Sequence, residues 1–121
     1  MARHTQLGAW GEQLARDWLL ARGFTIYEQN AHAGGVEIDI IALRDTEVRF
    51  VEVKTRSTDF ADQLDAVDRR KRTRMIRAAD AWLRSQPLPL TPYFDIILII
   101  GTPDTTHTLE YIPDAFFPGA M

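Results

Sequence analysis

The chain has 121 residues, no cysteine and a formal net charge of −3 at pH 7. This length suits one domain over residues 1–121, and the lack of cysteine excludes disulfides, thiolate metal sites and a catalytic thiol. The longest apolar run, residues 96–100, is far shorter than the roughly 20 residues that span a bilayer. The polar start lacks the apolar region of a secretory signal. We therefore expect a cytoplasmic protein that does not bind membranes.

Hydrophobic periodicity predicts both helices and strands along the chain. The first helix has apolar residues at spacings of three and four, namely Leu7, Trp10, Leu14 and Trp18. The predicted elements are a helix over 5–22, strands over 24–29, 37–43 and 48–55, a helix over 67–84, and strands over 94–100 and 108–112. The stretches 30–35, 57–65 and 86–92 and the tail from residue 113 are predicted to be irregular. This order predicts an α/β fold in which helices cover a sheet.

Two neighbouring predicted strands carry charged residues among apolar ones. In the second strand Asp39 stands between Ile38 and Ile40, and in the third strand Glu52 and Lys54 are two residues apart. Side chains alternate across a strand, so Glu52 and Lys54 share one face about 7 Å apart, and Asp39 can join them if the strands pair. We expect Ile38 and Ile40 to share the face opposite Asp39.

These residue types are typical of a metal site. Carboxylates on adjacent strands are hard oxygen ligands of the kind that Mg²⁺ or Mn²⁺ prefers, so we predict a site formed by Asp39, Glu52 and the backbone carbonyl of Val53. The metal can lower the pKa of a bound water, and Lys54 can position that water or stabilise charge in the transition state. The alternative is that Glu52 and Lys54 form the solvent face of a half-exposed strand. Asp39, in an otherwise apolar segment, favours the site because an unpartnered buried charge is costly.

The set formed by Asp39 and then Glu52, Val53 and Lys54 resembles the PD-(D/E)xK nuclease superfamily. More closely, the chain is similar over residues 7–100 to the small bacterial YraN-like proteins, predicted endonucleases related to Holliday junction resolvases. The residues that carry the resemblance are Gly11-Glu12, Ala15, Gly23, Asn30, Glu37-Ile38-Asp39, Phe50 to Arg56, Val67, Lys71, Ala79 and Phe94-Asp95. The resemblance implies a restriction-endonuclease-like αβββαβ core with a mixed sheet, Asp39 and Glu52 as metal ligands, and Lys54 as the catalytic lysine.

Three more residues bear on the predicted metal site: Glu12, and two positions at which the sequence departs from the family pattern. Glu12 borders the apolar arc of the first helix, and the resemblance implies that it is a further acidic residue near the metal. On the pattern alone, a boundary glutamate in solvent is the favoured alternative. Val36 stands where the family usually has Gly, and Tyr93 stands where it commonly has Arg. Either change can alter the backbone near the site or a phosphate contact.

Six of the 14 basic residues lie between residues 69 and 77. This density of positive charge favours contact with phosphates despite the negative net charge. For most of the arginines a solvated basic face with acidic neighbours is an equally open alternative. The three histidines lack ligand spacing and are predicted to be surface residues, and the three tryptophans are predicted to pack in the core. The predicted nucleic-acid contacts are Arg56, Arg70, Lys71 and Arg74, of which Arg56 and Lys71 also match the family.

These features together predict a divalent-metal-dependent endonuclease that hydrolyses DNA phosphodiester bonds. The resemblance implies branched or structured DNA as the substrate, in repair or recombination. The alternatives are a catalytically silent nucleic-acid-binding module or an accessory protein with a nuclease-like fold. A homodimer is a further expectation, because small nuclease domains often act on two strands in pairs.

Overall fold

The computed structural model describes residues 6–33, 35–57, 69–87 and 89–116. The predicted order of helices and strands is confirmed, including the last strand. The elements are α1 (Gln6–Ala21), β1 (Thr25–Ala33), β2 (Val36–Arg44), β3 (Glu47–Arg56), α2 (Arg69–Arg84), β4 (Thr91–Ile100) and β5 (Thr108–Phe116). The predicted start of the second helix at residues 67 and 68, the predicted loop over 58–65 and the end of the tail over 117–121 lie outside the described residues.

Three predicted irregular stretches are partly wrong because tertiary pairing extends the strands. β4 begins at residue 91, inside the predicted irregular stretch 86–92, since residues 91 and 92 pair with β3. β1 continues to Ala33 since its backbone pairs with β2 past Asn30, whose φ of 52° an asparagine tolerates. β5 continues through Pro113 to Phe116 because it is an edge strand, where proline is accepted. The buried Phe116 ring stacks on Phe94 with centroids 5.3 Å apart, which anchors this end of β5.

The five strands form one mixed sheet in the order β1-β2-β3-β4-β5. The first three are antiparallel neighbours, β3 and β4 are parallel, and β5 returns antiparallel to β4. Two parallel strands need a crossover connection, and α2 lies in the segment between β3 and β4. Neither 16-residue helix of the described ranges is long and apolar enough to cross a bilayer.

Each helix covers one face of the sheet over its own apolar cluster. The buried residues under α1, here the α1 cluster, are Ala15, Leu19, Phe24, Ile40, Ala42, Val51, Ile97 and Ile99. The buried residues under α2, here the α2 cluster, are Ala31, Val36, Ile38, Ile41, Val48, Phe50, Met75, Ala78, Ala79, Phe94, Ile96 and Phe116. Trp10 and Trp18 pack on the α1 cluster and Trp82 on the α2 cluster, which confirms the predicted inward placement of the tryptophans.

The α1 helix approaches β3 closely at Gly11. A Cβ atom at this position would overlap Oγ1 of Thr55 and would lie 3.0 Å from its Cβ and Cγ2. This close approach explains a glycine inside a helix, where it costs about 1 kcal/mol relative to alanine. It also brings the next residue, Glu12, to the part of β3 that carries Glu52.

A buried polar network lies on the α1 side of β4, around the fully buried Asp95. Its carboxylate accepts hydrogen bonds from the Tyr111 hydroxyl and the Asp114 backbone N–H, and pairs with Arg49 at 3.3 Å. The β4–β5 register shifts at this residue. The carboxylate therefore supplies the partner for the Asp114 amide where the ladder is irregular.

Candidate functional site

Strands β2 and β3 stop pairing where the predicted acidic residues lie. Their last ladder pair is Ile40 with Val51, and Asp39 is the next residue of β2. Its Oδ2 accepts a hydrogen bond of 2.8 Å from the backbone N–H of Val53. A side-chain carboxylate thus takes the place of a ladder carbonyl, and beyond it the two strands separate into what we term the fork.

The alternation of side chains is broken at Asp39. Ile38 lies in the α2 cluster and Ile40 in the α1 cluster, so the expectation that they share a face is wrong. The ladder with β3 has ended here, and Asn30, opposite Asp39 on β1, has a left-handed backbone. The chain can turn at this point, and the Asp39 carboxylate reaches toward the backbone of Val53.

The backbone of Val53 also faces the fork. In an antiparallel pair, a residue directs its N–H and its C=O to the same neighbouring strand. Because the Val53 N–H points at Asp39, the Val53 carbonyl is directed to the same side. It lies beyond the last β2–β3 ladder pair, on the side of the fork.

Glu52 is only 4% exposed and meets two ammonium groups. Its Oε2 lies 2.6 Å from Nζ of Lys71 and 3.1 Å from Nζ of Lys54. These are the only two lysines in the sequence, since 12 of its 14 basic residues are arginines. Oε1 of Glu52 is buried and has no hydrogen-bond partner among the described residues. One oxygen of this carboxylate is therefore neutralised twice, and the other has no donor.

The pKa of Asp39 is raised from 3.8 to about 8, mainly by burial and also by the negative charges of Glu52 and Glu12. The hydrogen bond from the Val53 backbone and the charge of Lys71 act in the opposite direction and lower this pKa. The carboxyl group of Asp39 thus retains its proton at neutral pH when no other cation is near. The charges of Glu52 and Glu12 disfavour the ionised form of Asp39, and a cation near these groups would offset that effect.

An open cleft of about 660 Å³ contains most of the predicted site residues. Its lining includes seven of them, namely Glu12, Asp39, Glu52, Val53, Arg56, Lys71 and Arg74. The other lining residues are Leu7, Gly8, His32, Gly35, Val36, Glu37 and Thr55. The cleft therefore joins the N-terminal half of α1, the fork and the first turns of α2.

Two predicted site residues lie off the cleft wall. Lys54 does not line the cleft but contacts it through its ion pair with Glu52. Arg70 is exposed in the first turn of α2 and is not part of the lining. Of the two departures from the family pattern, Val36 lines the cleft, whereas the Tyr93 ring lies away from it under Arg49, 3.9 Å from the guanidinium carbon.

The structure adds two features that the sequence does not predict. His32 is exposed as expected, but it lines the cleft opposite Glu37 because of the β1–β2 register. Lys71, predicted to contact phosphate, is ion-paired with Glu52, which lies 19 residues earlier. The only hint in the sequence is the rarity of lysine, because register and helix placement are not local properties.

The chain is similar in sequence to known proteins over nearly its whole length. A family described as "Uncharacterised protein family UPF0102" matches residues 11–99. A UPF0102 protein of Phocaeicola vulgatus is 40% identical over 119 residues, which is 98% of each chain. One from Parabacteroides distasonis is 41% identical over 97% of each chain, and one from Syntrophomonas wolfei is 37% identical over 92% of this chain and 97% of the relative.

Proposed function

The chain belongs to the uncharacterised protein family UPF0102, and we propose that it is a divalent-metal-dependent endonuclease that hydrolyses DNA phosphodiester bonds. The observation that carries the proposal is the fork, where Asp39 and Glu52 line one cleft together with Arg56, Lys71 and Arg74. Acidic groups for a cation and basic groups for phosphates are the two requirements of metal-assisted phosphodiester hydrolysis. Branched or structured DNA in repair or recombination is the substrate that the resemblance implies.

The donor set at the fork fits Mg²⁺ or Mn²⁺. Mg²⁺ usually takes one or two carboxylates and completes its octahedron with water. Across residues 6–33, 35–57, 69–87 and 89–116, no three His, Cys, Asp or Glu side chains form a ready-made ligand cluster. The ion would therefore be held by Asp39, Glu52 and the Val53 carbonyl, with water at the remaining positions. Oε1 of Glu52, buried without a donor in the described structure, is the atom that such an ion would satisfy.

Two protein side chains, Lys54 and Glu12, are proposed to act in catalysis beside the metal. When bound, the metal polarises a phosphoryl oxygen and lowers the pKa of a water molecule. Lys54, held beside Glu52, orients that water and stabilises negative charge that develops on the phosphate. Glu12 adds a further acidic group to the cleft wall.

Substrate binding falls to the basic residues. Arg56 and Arg74 line the cleft and bind phosphates of the DNA backbone. The exposed Arg70 extends this basic surface along α2 beyond the cleft. The homodimer stays a prediction, to be checked by light scattering of the purified protein.

Nicking of flap, four-way-junction and linear DNA with Mg²⁺ or Mn²⁺ tests the proposal. Asp39→Asn, Glu52→Gln and Lys54→Met should each slow cleavage by about 100-fold or more, since single groups of this kind commonly contribute that much. The exposed carboxylates Asp17 and Glu110 give matched controls as Asp17→Asn and Glu110→Gln. An inert protein on all substrates, or site variants that cut as fast as the controls, would refute the enzymatic claim.

A silent DNA-binding module is the second candidate. The observation that favours it is that both lysines already neutralise Glu52, while the described residues contain no ready-made three-ligand cluster. DNA binding that weakens steeply with salt, without cleavage under any condition, would support this reading. A protein that neither binds nor cuts DNA but retains a protein partner would instead be an accessory factor.

A further inference from the structure

Lys71 and a divalent cation would need the same carboxylate. The Lys71 ammonium lies 2.6 Å from Oε2 of Glu52, closer than Lys54 at 3.1 Å. Lys71 also lines the cleft, so its positive charge stands on the side from which a cation and a phosphate would enter. The structure thus already contains one positive charge at the place where the proposed metal would act.

We propose that Lys71 is a built-in counter-ion for the carboxylates of the fork, and that it leaves Glu52 when a divalent cation binds and then pairs with a phosphate of the DNA backbone. This inference rests on the proposed function and adds a way in which metal binding at the same site controls the binding of DNA. It makes Lys71 a positioning residue that links metal occupancy to substrate binding.

Burial explains why a counter-ion is needed. Glu52 is 4% exposed beneath α2, and a buried carboxylate without a partner costs several kcal/mol. Two ammonium groups on Oε2 offset that cost. Once a divalent cation neutralises Glu52, the electrostatic attraction between Glu52 and Lys71 is largely lost.

The two lysines differ in how readily each can move away from Glu52. The Lys54 side chain is 12% exposed, and it is two residues from Glu52 on the same strand. The Lys71 side chain is 31% exposed, stands on the first turn of α2 and lines the cleft. Lys71 is therefore the more solvent-accessible of the two lysines, and its movement into the cleft displaces no strand. Lys54 keeps its contact with Glu52 in both states.

Lysine suits this role better than arginine. An ammonium is a compact charge on a flexible stem, whereas a guanidinium prefers a fixed bidentate contact. Arginine occupies 12 of the 14 basic positions in this sequence, yet both groups on Glu52 are lysines. The residue type at position 71 thus favours an exchangeable contact with the carboxylate.

The test compares Mg²⁺ affinities of the full-length protein by calorimetric titration at pH 8.5. Lys71→Met keeps the length of the stem and removes the competing charge, so Mg²⁺ should bind about tenfold more tightly or better. Arg74→Met is the matched control, because it removes a positive charge from the same helix and cleft but from a residue without an ion pair to Glu52. It should change the affinity by less than about threefold. Lys71→Arg keeps the competing charge in a less exchangeable form, so it should bind Mg²⁺ no more tightly than the wild type.

A measurement on the wild-type protein keeps the inference testable even if the Lys71→Met variant does not fold. With only two lysines, protein labelled with ¹³C-lysine shows two sets of Hε–Cε resonances, which Lys71→Arg assigns. Mg²⁺ should shift the Lys71 resonances more than those of Lys54. Adding a non-cleavable DNA after Mg²⁺ should shift the Lys71 resonances again.

The outcomes separate the inference from the proposed function. If Mg²⁺ binds the wild type and Glu52→Gln abolishes this binding, but Lys71→Met does not tighten it beyond Arg74→Met, the counter-ion role is wrong and the metal site stands. If Lys71→Met binds Mg²⁺ more tightly but no DNA is cut, the counter-ion role stands and the enzyme does not. If no divalent cation binds the wild type, both are overturned.

Discussion

Replacing Asp39 by asparagine should remove a dependence of stability on pH that arises at the fork. The pKa of Asp39 is raised from 3.8 to about 8, mainly by burial and by the charge of Glu52. Between these two values the folded protein keeps a proton that the unfolded chain releases. The free energy of unfolding of the wild type in EDTA should therefore fall as the pH rises through this window, whereas Asp39→Asn lacks this term.

The size of the effect follows from the same pKa. One proton contributes at most about 1.4 kcal/mol per pH unit, so the window corresponds to a few kcal/mol and at most about 6 kcal/mol. That is a large part of the 5–15 kcal/mol that stabilises a typical domain. Asparagine can still accept the hydrogen bond from the Val53 N–H through its amide oxygen, so the variant removes the charge while keeping this contact.

Urea unfolding followed by tryptophan fluorescence in EDTA, from pH 5 to pH 9, measures the difference. Asp39→Asn should gain stability relative to the wild type at each higher pH, and the exposed Asp17→Asn controls for loss of one negative charge. Saturating Mg²⁺ should restore the wild type above pH 8, by about 2.7 kcal/mol at 100 times the dissociation constant, and should leave Asp39→Asn unchanged. A difference that stays constant across the pH range would refute the account of Asp39.

Two further substitutions test the packing and the basic wall of the cleft. Gly11→Ala should lose up to about 2 kcal/mol of stability, because the clash with Thr55 costs about 1–3 kcal/mol and the higher helix propensity of alanine returns only about 1 kcal/mol. Urea unfolding of Gly11→Ala, Thr55→Ala and the double variant should show that Thr55→Ala recovers part of this loss, and additive effects would contradict the proposed contact. Arg74→Met should weaken DNA binding on all sequences and lower the slope of log affinity against log salt by about one, as measured by fluorescence anisotropy. An unchanged slope would remove Arg74 from the phosphate contacts.

Local pattern was sufficient for the elements of this protein and for part of its site. The period of the apolar residues predicted both helices and the strands in their correct order, because that period reports which face of an element is buried. Alternation along β3 likewise predicted that Glu52 and Lys54 share a face, and their side chains are in contact. Errors occurred where pairing with a neighbouring strand extended β1 past Asn30 and β5 past Pro113.

The fork itself is a product of tertiary structure. Alternation predicted Ile38 and Ile40 on one face, but the end of the β2–β3 ladder places them in opposite clusters and turns Asp39 toward the backbone of Val53. No local pattern contains the point at which two strands part, because that point depends on the register of the whole sheet.

The ion pair between Glu52 and Lys71 likewise depends on tertiary structure. The sequence by itself determined that a carboxylate and a lysine stand two residues apart on an apolar strand. Only the packing of α2 across the sheet, through Met75, Ala78 and Ala79, determined that a second lysine 19 residues later would meet the same oxygen. Helix placement is set by the sum of many core contacts, and for that reason Lys71 could be recognised as a basic residue from the sequence but not as the counter-ion of Glu52.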